Sequence, residues 1–245
     1  MIATPAWPPR STPRLYVPEP LAPGARRIDG PGAHYLASVM RLKAGDPVKL
    51  FDDATGEWLA VVEGAGKRDV TLDVRELLRP RESVPDLWLL AAPLKKGRVD
   101  WMAEKACELG VARFVPVVTR RTVVDKPNTD RLRAHMIEAA EQCGRTALPE
   151  VAEPVKLAAL LRGWPEGRTL YFADEQGGTP MLEAMKPGPA AILIGPEGGF
   201  DDEERALIRA TSAAVPIALG PRILRADTAA AAAVSVWMAG AGDWR

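Results

Sequence analysis

Residues 190–204, AAILIGPEGGFDDEE, begin with an apolar stretch, continue into a loop with three glycines and end in four consecutive acids. In open α/β sheets, ligands bind beyond the carboxyl ends of the strands, and glycine lets backbone amides come close to a ligand. The loop at 195–199 matches neither GxGxxG nor GxxxxGK[ST], the two common phosphate-binding patterns. Its Glu197 and the acids at 201–204 would also repel a pyrophosphate. The segment therefore predicts a binding loop for a cofactor that carries no phosphate.

A second glycine loop lies in VPIALGPRILRADTAAAAAV, residues 215–234. Here Arg222 and Arg225 flank Ile223 and Leu224, two apolar side chains that an ordinary surface loop would leave in water. Apolar walls are typical of pockets that bind a flat ligand such as adenine. The alternative is an ordinary strand–loop–helix connection with two solvated arginines.

Both loops belong to a C-terminal region in which apolar strands alternate with helices. The predicted strands are 86–94, 113–119, 169–175, 190–199 and 215–220, and the predicted helices are 99–110, 130–143, 201–212 and 227–241. Asp201, with Glu204 three residues later, is a capping signal, and Asp227 or Thr228 is predicted to cap the last helix. This alternation, with nearly continuous apolar strands, predicts a parallel α/β sheet covered on both faces.

The N-terminal region has a different pattern, with short strands separated by turns. Strands are predicted at 14–17, 47–53, 57–66 and 69–77, with one helical segment at 33–42. Short strands at this spacing predict a small barrel or curled sheet. The proline-rich residues 1–13 are predicted to be a loose leader, and PRESVPD at 80–86 a linker. The expected domains are therefore a β domain at 14–80 and an α/β domain at 86–245.

Composition excludes several classes of protein. No run of about 18 apolar residues occurs, and the N-terminus has prolines where a secretory signal needs an apolar core, so a cytoplasmic protein without membrane spans is expected. With two cysteines and two histidines, neither a disulfide framework nor a dedicated metal site is expected. Cys107 and Cys143 are predicted to be buried helix residues.

Charge gives a weaker indication of the partner. The net charge is zero, which argues against non-specific coating of nucleic acid. Residues 1–50 nevertheless hold seven Arg and Lys against three acids, which suggests an RNA partner or simply solvated loop charge.

Four ordered motifs resemble one known family. KKGRVDWMAEKACELGV (95–111), EQCGR (141–145), GPEGGF (195–200) and LGPRILRADTA (219–229) are similar to segments of the bacterial 16S rRNA uracil-N3 methyltransferases of the SPOUT superfamily. The resemblance implies a PUA-like N-terminal domain, a SPOUT domain with a deep trefoil knot, and a homodimer. It further implies S-adenosylmethionine as the cofactor and 16S rRNA of the 30S subunit as the substrate.

The resemblance also implies roles for individual residues. Arg225 would stabilise the uracil anion that forms when N3 loses its proton, and Glu197 or Asp227 would accept the proton or orient the arginine. The predicted cofactor residues are Ile194, Gly195, Glu197, Gly198, Leu219, Gly220, Ile223, Leu224 and Ala229. The predicted RNA-binding residues are Arg14, His34, Arg41, Lys96, Arg120 and Arg145. Solvated loop charge or structural use is the alternative for this last set.

Other functions stay open from the residues alone. A nucleotide-binding α/β enzyme such as a dehydrogenase or NTPase lacks its fingerprint glycines here. A non-catalytic RNA-binding protein would need only the N-terminal domain. SPOUT relatives that methylate a ribose 2′-hydroxyl or guanine also have glycine loops.

Overall fold

A computed structural model describes residues 11–66, 68–95 and 97–244. These residues form two compact units. The first comprises the chain up to Ser83 together with Glu141–Ala147, and the second comprises Val84–Ala140 and the chain from Leu148 onward. Most of the predicted leader, residues 1–10, lies outside the described residues, so its looseness stays a prediction.

The first unit is built on a curled five-stranded sheet. Its elements are β1 (Arg14–Tyr16), β2 (Gly24–Asp29), α1 (Gly30–His34), a π-helical turn (Tyr35–Val39), β3 (Pro47–Phe51), β4 (Gly56–Ala65) and β5 (Asp69–Pro80). The strand order is β1-β3-β4-β5-β2, and only the β1–β3 pair is parallel. Three register shifts between β4 and β5 bend the sheet, as β-bulges do. The predicted curled β domain is confirmed.

Strand β2 is an element of the first unit that the sequence pattern did not predict. Its sequence, GARRID, has one buried side chain, Ile28, and places two arginines on a strand at the edge of the sheet. Because five of the six residues of this edge strand are at least partly exposed, β2 lacks the alternation of apolar and polar residues by which a strand is recognised in a sequence.

The second unit is an α/β fold with a parallel sheet. Its elements are β6 (Leu87–Ala91), α2 (Arg98–Glu108), β7 (Arg113–Val118), α3 (Thr129–Cys143, whose end belongs to the first unit), β8 (Glu150–Val151), β9 (Val155–Lys156), α4 (Leu157–Arg162), β10 (Thr169–Ala173), β11 (Thr179–Pro180), α5 (Met181–Ala184), β12 (Ala190–Ile194), α6 (Asp202–Arg209), β13 (Ala214–Ala218) and α7 (Ala226–Gly240). The strand order is β11-β13-β10-β12-β6-β7-β8, and β9 also pairs with β7. Each of these pairings is parallel. The sequence pattern did not predict the short elements β8, β9, α4, β11 and α5.

Burial in the second unit agrees with the predicted architecture. All five residues of β12 are buried, which is typical of a central parallel strand covered on both faces. The predicted parallel α/β sheet is therefore confirmed. The trefoil knot and the domain limits stay predictions.

Two local predictions need correction. Helix α7 begins at Ala226 with Arg225 as its N-cap residue, so neither Asp227 nor Thr228 caps it; the Asp227 carboxylate instead accepts the amide hydrogen of Thr228. Cys107 is buried as predicted, but Cys143 is exposed because it lies at the end of α3. The predicted capping box of Asp201 and Glu204 at α6 is present.

A buried ion-pair cluster connects residues 141–147 to the sheet of the first unit. The Glu57 carboxylate accepts hydrogen bonds from Arg14 and Arg79. Arg14 also donates to the carbonyls of Glu141 and Arg145, at 3.2 and 3.1 Å. Burial raises the pKa of Glu57, but the two guanidinium groups outweigh burial and hold that pKa below its ordinary value. The cluster thus stays charged at neutral pH.

No helix in the described parts of the chain has the length and apolar character needed to cross a bilayer. The same residues contain no group of three or more His, Cys, Asp and Glu placed to hold a metal ion.

Trp88, near the start of β6, contacts two guanidinium groups. The Cζ atoms of Arg168 and Arg113 are 3.8 and 4.6 Å from the ring centroid. The buried Arg168 also donates to the carboxylate of Asp86 at 2.6 Å and to the carbonyl of Ala190 at 2.9 Å. One side chain therefore connects three strand ends by polar and cation–π contacts.

We expect Arg168→Met to lower the free energy of unfolding by about 2–3 kcal/mol, because it leaves a buried carbonyl without its donor and removes a cation–π contact. The melting temperature measured by circular dichroism should fall by roughly 5–10 °C. The control is Arg162→Met, which changes an exposed arginine at the end of α4. Equal melting temperatures for the two variants would contradict this role of Arg168.

Candidate cofactor and active site

A cavity of about 590 Å³ lies at the carboxyl ends of β10, β12 and β13. Three loops surround it, at 174–178, 195–201 and 219–225, each directly after one of these strands. Its volume falls in the range of sites for cofactor-sized molecules. The two glycine loops singled out in the sequence thus lie together at one edge of the sheet.

Nearly all the predicted cofactor residues line this cavity. They are Ile194, Gly195, Glu197, Leu219, Gly220, Ile223, Leu224 and Ala229. Gly198 is not among the lining residues, because its backbone is turned so that its carbonyl accepts a hydrogen bond from Arg121. Of the predicted catalytic residues, Glu197 and Arg225 line the cavity and Asp227 does not. Asp227 lines a smaller cleft between α2 and α7.

The shape of the loop at 195–199 depends on its glycines. Gly199 has a φ of +67°, in the left-handed region that favours glycine, and its amide donates to the carbonyl of Pro196 at 2.8 Å. A Cβ on Gly195 would lie 3.1 Å from the ring of Phe200. Side chains at these two positions would push against the wall of the cavity, so the loop is shaped for a close approach by a ligand.

The start of α6 fixes the far end of the same loop. The Asp201 carboxylate accepts the amide hydrogen of Glu204 at 2.7 Å, and Arg120 donates to Asp201 at 3.0 Å. The hydrogen bond from the Glu204 amide and the Arg120 guanidinium lower the pKa of Asp201 below its ordinary value. The acids after GPEGGF therefore serve mainly to cap and brace this helix.

A third loop, at 174–178, was not predicted as part of the site. Asp174, Glu175 and Gly177 line the cavity. The Asp174 side chain has no exposed surface and forms ion pairs with Arg205 at 3.1 Å and Arg209 at 2.6 Å. Burial raises the pKa of Asp174, but the hydrogen bond from the Gln176 amide and the two guanidinium groups outweigh it, so the pKa lies below its ordinary value. The signal was available in the sequence, since Gly177 and Gly178 follow the acids after an apolar strand.

Arg98 also belongs to the site, although its sequence context did not predict this. It begins α2, directly after Gly97 with a φ of +91°, and it lines the cavity. Its guanidinium forms an ion pair with Glu197, and its Nε lies 4.0 Å from the Asp227 carboxylate. Arg98 therefore joins the two acids that were predicted to act with Arg225.

Arg225 lies exposed at the mouth of the cavity. Its backbone carbonyl accepts the first hydrogen bond of α7, from the Ala229 amide at 2.7 Å. Across residues 11–66, 68–95 and 97–244, its guanidinium has no hydrogen-bond or ion-pair partner. Neighbouring Ile223 lines the cavity but is 91% exposed, so its role as an apolar wall for the cofactor stays a prediction. Arg225 is thus a cation that is available to a ligand.

The predicted RNA-binding residues have varied surroundings. Arg14 and Arg145 are largely buried in the first unit, where their side chains donate to protein groups. Arg120 is held by Asp201 and Glu203. Lys96 lies outside the described residues. His34 and Arg41 are exposed, and Arg41 has a φ of +55°, which a non-glycine residue rarely adopts. Contact with RNA stays a prediction for all six.

Comparisons with known proteins agree with this geometry. The sequence model of the RNA methyltransferase domain matches residues 80–238, and that of the RNA methyltransferase PUA domain matches residues 28–75. A Synechocystis protein named ribosomal RNA small subunit methyltransferase E is 33% identical, with 82% of this chain and 69% of that protein aligned. Its namesake from Rickettsia conorii is 29% identical over 82% of this chain and 84% of that protein.

Solved structures resemble the chain along almost its whole length. A methyltransferase from Legionella pneumophila, solved with the bound cofactor SAM, is 32% identical with a TM-score of 0.85, covering 95% of this chain and 99% of that one. The ribosomal RNA small subunit methyltransferase E of Neisseria gonorrhoeae, at 24% identity, has a TM-score of 0.88 and covers 96% of this chain and all of that one, which shows the shared fold. The resemblance in the sequence motifs is therefore confirmed, and the chain belongs to the RNA methyltransferase family, among the ribosomal RNA small subunit methyltransferases E.

Proposed function

We propose that this protein transfers the methyl group of S-adenosylmethionine to N3 of one uridine in the 16S rRNA of the small ribosomal subunit. The observation that carries the proposal is the cavity between the two glycine loops, with the unpaired Arg225 at its mouth. The named relatives support ribosomal RNA as the substrate class, and the Legionella structure supports the cofactor.

The cavity fits a cofactor without phosphates. Apolar side chains of Ile194, Leu219 and Leu224 provide walls for an adenine ring. Gly195 and Gly220 line the same cavity, and we assign their amides to the polar atoms of the adenosine part. Neither loop forms a phosphate-binding pattern, and acidic side chains line the same space. These features weigh against a dehydrogenase or NTPase.

Electrostatics support a reaction in which the uracil ring attacks as an anion. A neutral uracil is a poor nucleophile because N3 carries a weakly acidic proton, so the site must favour loss of that proton. Bound S-adenosylmethionine supplies the electrophilic methyl group. The Arg225 guanidinium, which has no partner among the described residues, is free to face the uracil carbonyl oxygens and stabilise their developing charge.

Arg98 lies close to both acids that were predicted to act in catalysis, Glu197 and Asp227. The ion pair with Arg98 directs the Glu197 carboxylate toward the first turn of α2. Asp227 lies within 4.0 Å of the same guanidinium. Of the two, Glu197 is the one that lines the cavity, so we assign it the role of accepting the N3 proton or orienting the base.

A homodimer is part of this proposal. Ile223 is 91% exposed at the rim of the cavity, and a second copy would remove it from water. Multi-angle light scattering should give about twice the chain mass of 26.4 kDa. We expect Ile223→Asp to shift the mass toward that of one chain, whereas Val123→Asp, at another exposed apolar residue, should not. A single-chain mass for the unchanged protein would refute the dimer.

Cofactor binding tests the placement of the site. Gly195→Val should weaken S-adenosylmethionine binding by at least tenfold in calorimetry, because its side chain meets the Phe200 ring at 3.1 Å and must displace the loop. Gly220→Val should do the same, since Gly220 has a φ of +107°. The control is Gly64→Val in β4, where an added Cβ meets no atom within 4 Å. Unchanged affinity in both loop variants, with melting curves like the control, would show the site to be elsewhere.

The reaction itself is tested on 30S subunits that lack the modification. Mass mapping should find one added methyl group on N3 of a uridine, whereas a product methylated on a ribose 2′-hydroxyl or on guanine would assign the chain to another methyltransferase. A protein that binds RNA but transfers no methyl group would be an adaptor.

Arg225→Ala should reduce kcat by roughly 10²- to 10³-fold, the usual loss for one donor that stabilises an anion. Arg225→Lys should retain part of the rate, and the rise of rate with pH should move to higher pH in both variants, because the uracil anion is less stabilised. S-adenosylmethionine affinity should change little. Arg162→Ala on α4 serves as the matched control. An Arg225→Ala enzyme with an unchanged rate would remove Arg225 from the mechanism.

A further inference from the structure

The unassigned acid of the cavity is Glu175, in the loop after β10. Its carboxylate lines the cavity, and a Cβ on Gly199 would lie 2.7 Å from its carboxyl carbon. The Glu175 carboxylate can therefore occupy this position because residue 199 has no side chain. The side chain is 44% exposed, so it is accessible from the cavity while resting on the GPEGG loop.

Arg205 on α6 fixes Glu175 from behind. Its guanidinium is 7% exposed, and its Nη2 donates to Oε1 of Glu175 at 2.8 Å. The same guanidinium donates through Nε to the fully buried Asp174 at 3.1 Å. It also lies 3.5 Å from the carbonyl oxygen of Phe200, at the end of the GPEGG loop. One buried side chain thus joins two of the three loops that form the cavity.

One oxygen of Glu175 is left for a ligand. Oε1 accepts from Arg205, whereas Oε2 has no hydrogen-bond partner in the described ranges of the chain. Asp174 offers no such oxygen, because it is fully buried and held by Arg205 and Arg209. Glu197 also has only one oxygen on an arginine, that of Arg98, but we assign it to the N3 proton, so Glu175 is the acid that remains for the cofactor.

The charge of the cluster indicates which donor it accepts. Two guanidinium groups, those of Arg205 and Arg209, offset the charges of Asp174 and Glu175, and the exposed Asp202 also lies 3.5 Å from Arg205. Pairing with an arginine weakens the attraction of Glu175 for an ammonium group more than its hydrogen bond to a hydroxyl group, because the hydroxyl carries no net charge. Carboxylates that bind the hydroxyls of a ribose serve the same purpose in dinucleotide sites.

The order of the strands also favours a ribose hydroxyl as the donor to Glu175. β10 lies between β12 and β13, so the loop that carries Glu175 lies between the two glycine loops. In S-adenosylmethionine the ribose is likewise the middle part, between the adenine and the methionine group. We propose that Glu175 binds the ribose hydroxyls of the cofactor and that Arg205 is its positioning residue. The inference rests on S-adenosylmethionine being the cofactor.

The test compares ligands with and without a ribose hydroxyl, by calorimetry on the full chain. For the unchanged protein, S-adenosylhomocysteine should bind roughly 10- to 100-fold more tightly than its 2′-deoxy or 3′-deoxy analogue, as expected for a hydrogen bond to a charged acceptor. In Glu175→Ala this ratio should fall to about 1–2. Methylthioadenosine, which has the ribose but no ammonium group, should lose affinity in Glu175→Ala by the same factor as S-adenosylhomocysteine.

Arg205 variants distinguish positioning from general support of the fold. Arg205→Met should lower the hydroxyl ratio although Glu175 is still present, and Arg205→Lys should restore part of it. A purely structural role would weaken all ligands equally and leave the ratio unchanged. Glu183→Ala on α5, an exposed acid outside the cavity, is the matched control for Glu175→Ala.

The outcomes separate this inference from the proposed function. If the unchanged protein binds neither S-adenosylmethionine nor S-adenosylhomocysteine, the proposed function fails. If it binds both, and removing a hydroxyl costs the same in the unchanged protein and in Glu175→Ala, the ribose assignment alone is overturned. Loss of affinity in Glu175→Ala confined to ligands with an ammonium group would overturn it as well.

Discussion

The site depends on the parallel pairing of β10 with a strand on each side. Leu170 and Tyr171 are in register with Ala191 and Ile192 of β12 on one side and with Ala214 and Val215 of β13 on the other. Because all three strands run in the same direction, their carboxyl ends meet at one edge and their following loops must lie together. Strand order, rather than sequence distance, thus brings segments near residues 175, 197 and 223 around one cavity.

Charge pairing then decides which groups are left for chemistry. Asp174, although fully buried, stays ionised because the Gln176 amide and two guanidinium groups outweigh the cost of its burial. Glu197 is paired with Arg98, and Asp201 both caps α6 and binds Arg120. An acid-rich sequence therefore becomes a cavity in which most acids are neutralised locally. Arg225 is an exception among the charged residues of the cavity, since it is exposed and has no ion-pair partner in the described part of the chain.

Much of the site could be predicted from the sequence, because its backbone-shaping residues are local signals. Glycines after apolar strands identified the loops at 195–199 and 219–225, and the Asp201 cap marked the start of α6. The loop at 174–178 had the same local signal in Gly177 and Gly178, but the ion pairs of the site depend on contacts between distant residues. Arg98 is 99 residues from Glu197, and Arg205 is 30 residues from Glu175. No spacing rule in one sequence reveals such pairs.

Backbone direction explains the remaining differences at the site. Gly198 was grouped with its neighbours as a cofactor residue, but its carbonyl is turned toward Arg121 and away from the cavity. Similarly, α7 begins one residue before Asp227, so the side chain that precedes the helix is that of Arg225. A shift of one residue rotates a helical side chain by about 100°. Asp227 lies inside the first turn of α7 and lines the cleft beside α2, whereas Arg225 precedes the helix in an extended conformation and lines the cavity.

The EQCGR motif shows why a family motif does not by itself assign a function to a residue. Its Arg145 is 5% exposed, and the carbonyl of that residue accepts a hydrogen bond from Arg14, which is paired with Glu57. An arginine that is buried among its own hydrogen-bond acceptors has little of its charge to offer a phosphate. Exposed Arg41, held at a φ of +55°, has the opposite surroundings. Backbone strain of this kind persists only where surrounding structure maintains it, and it is often found where a side chain is presented to a ligand. Within the first unit, burial therefore separates arginines that stabilise the fold from those that are exposed to solvent.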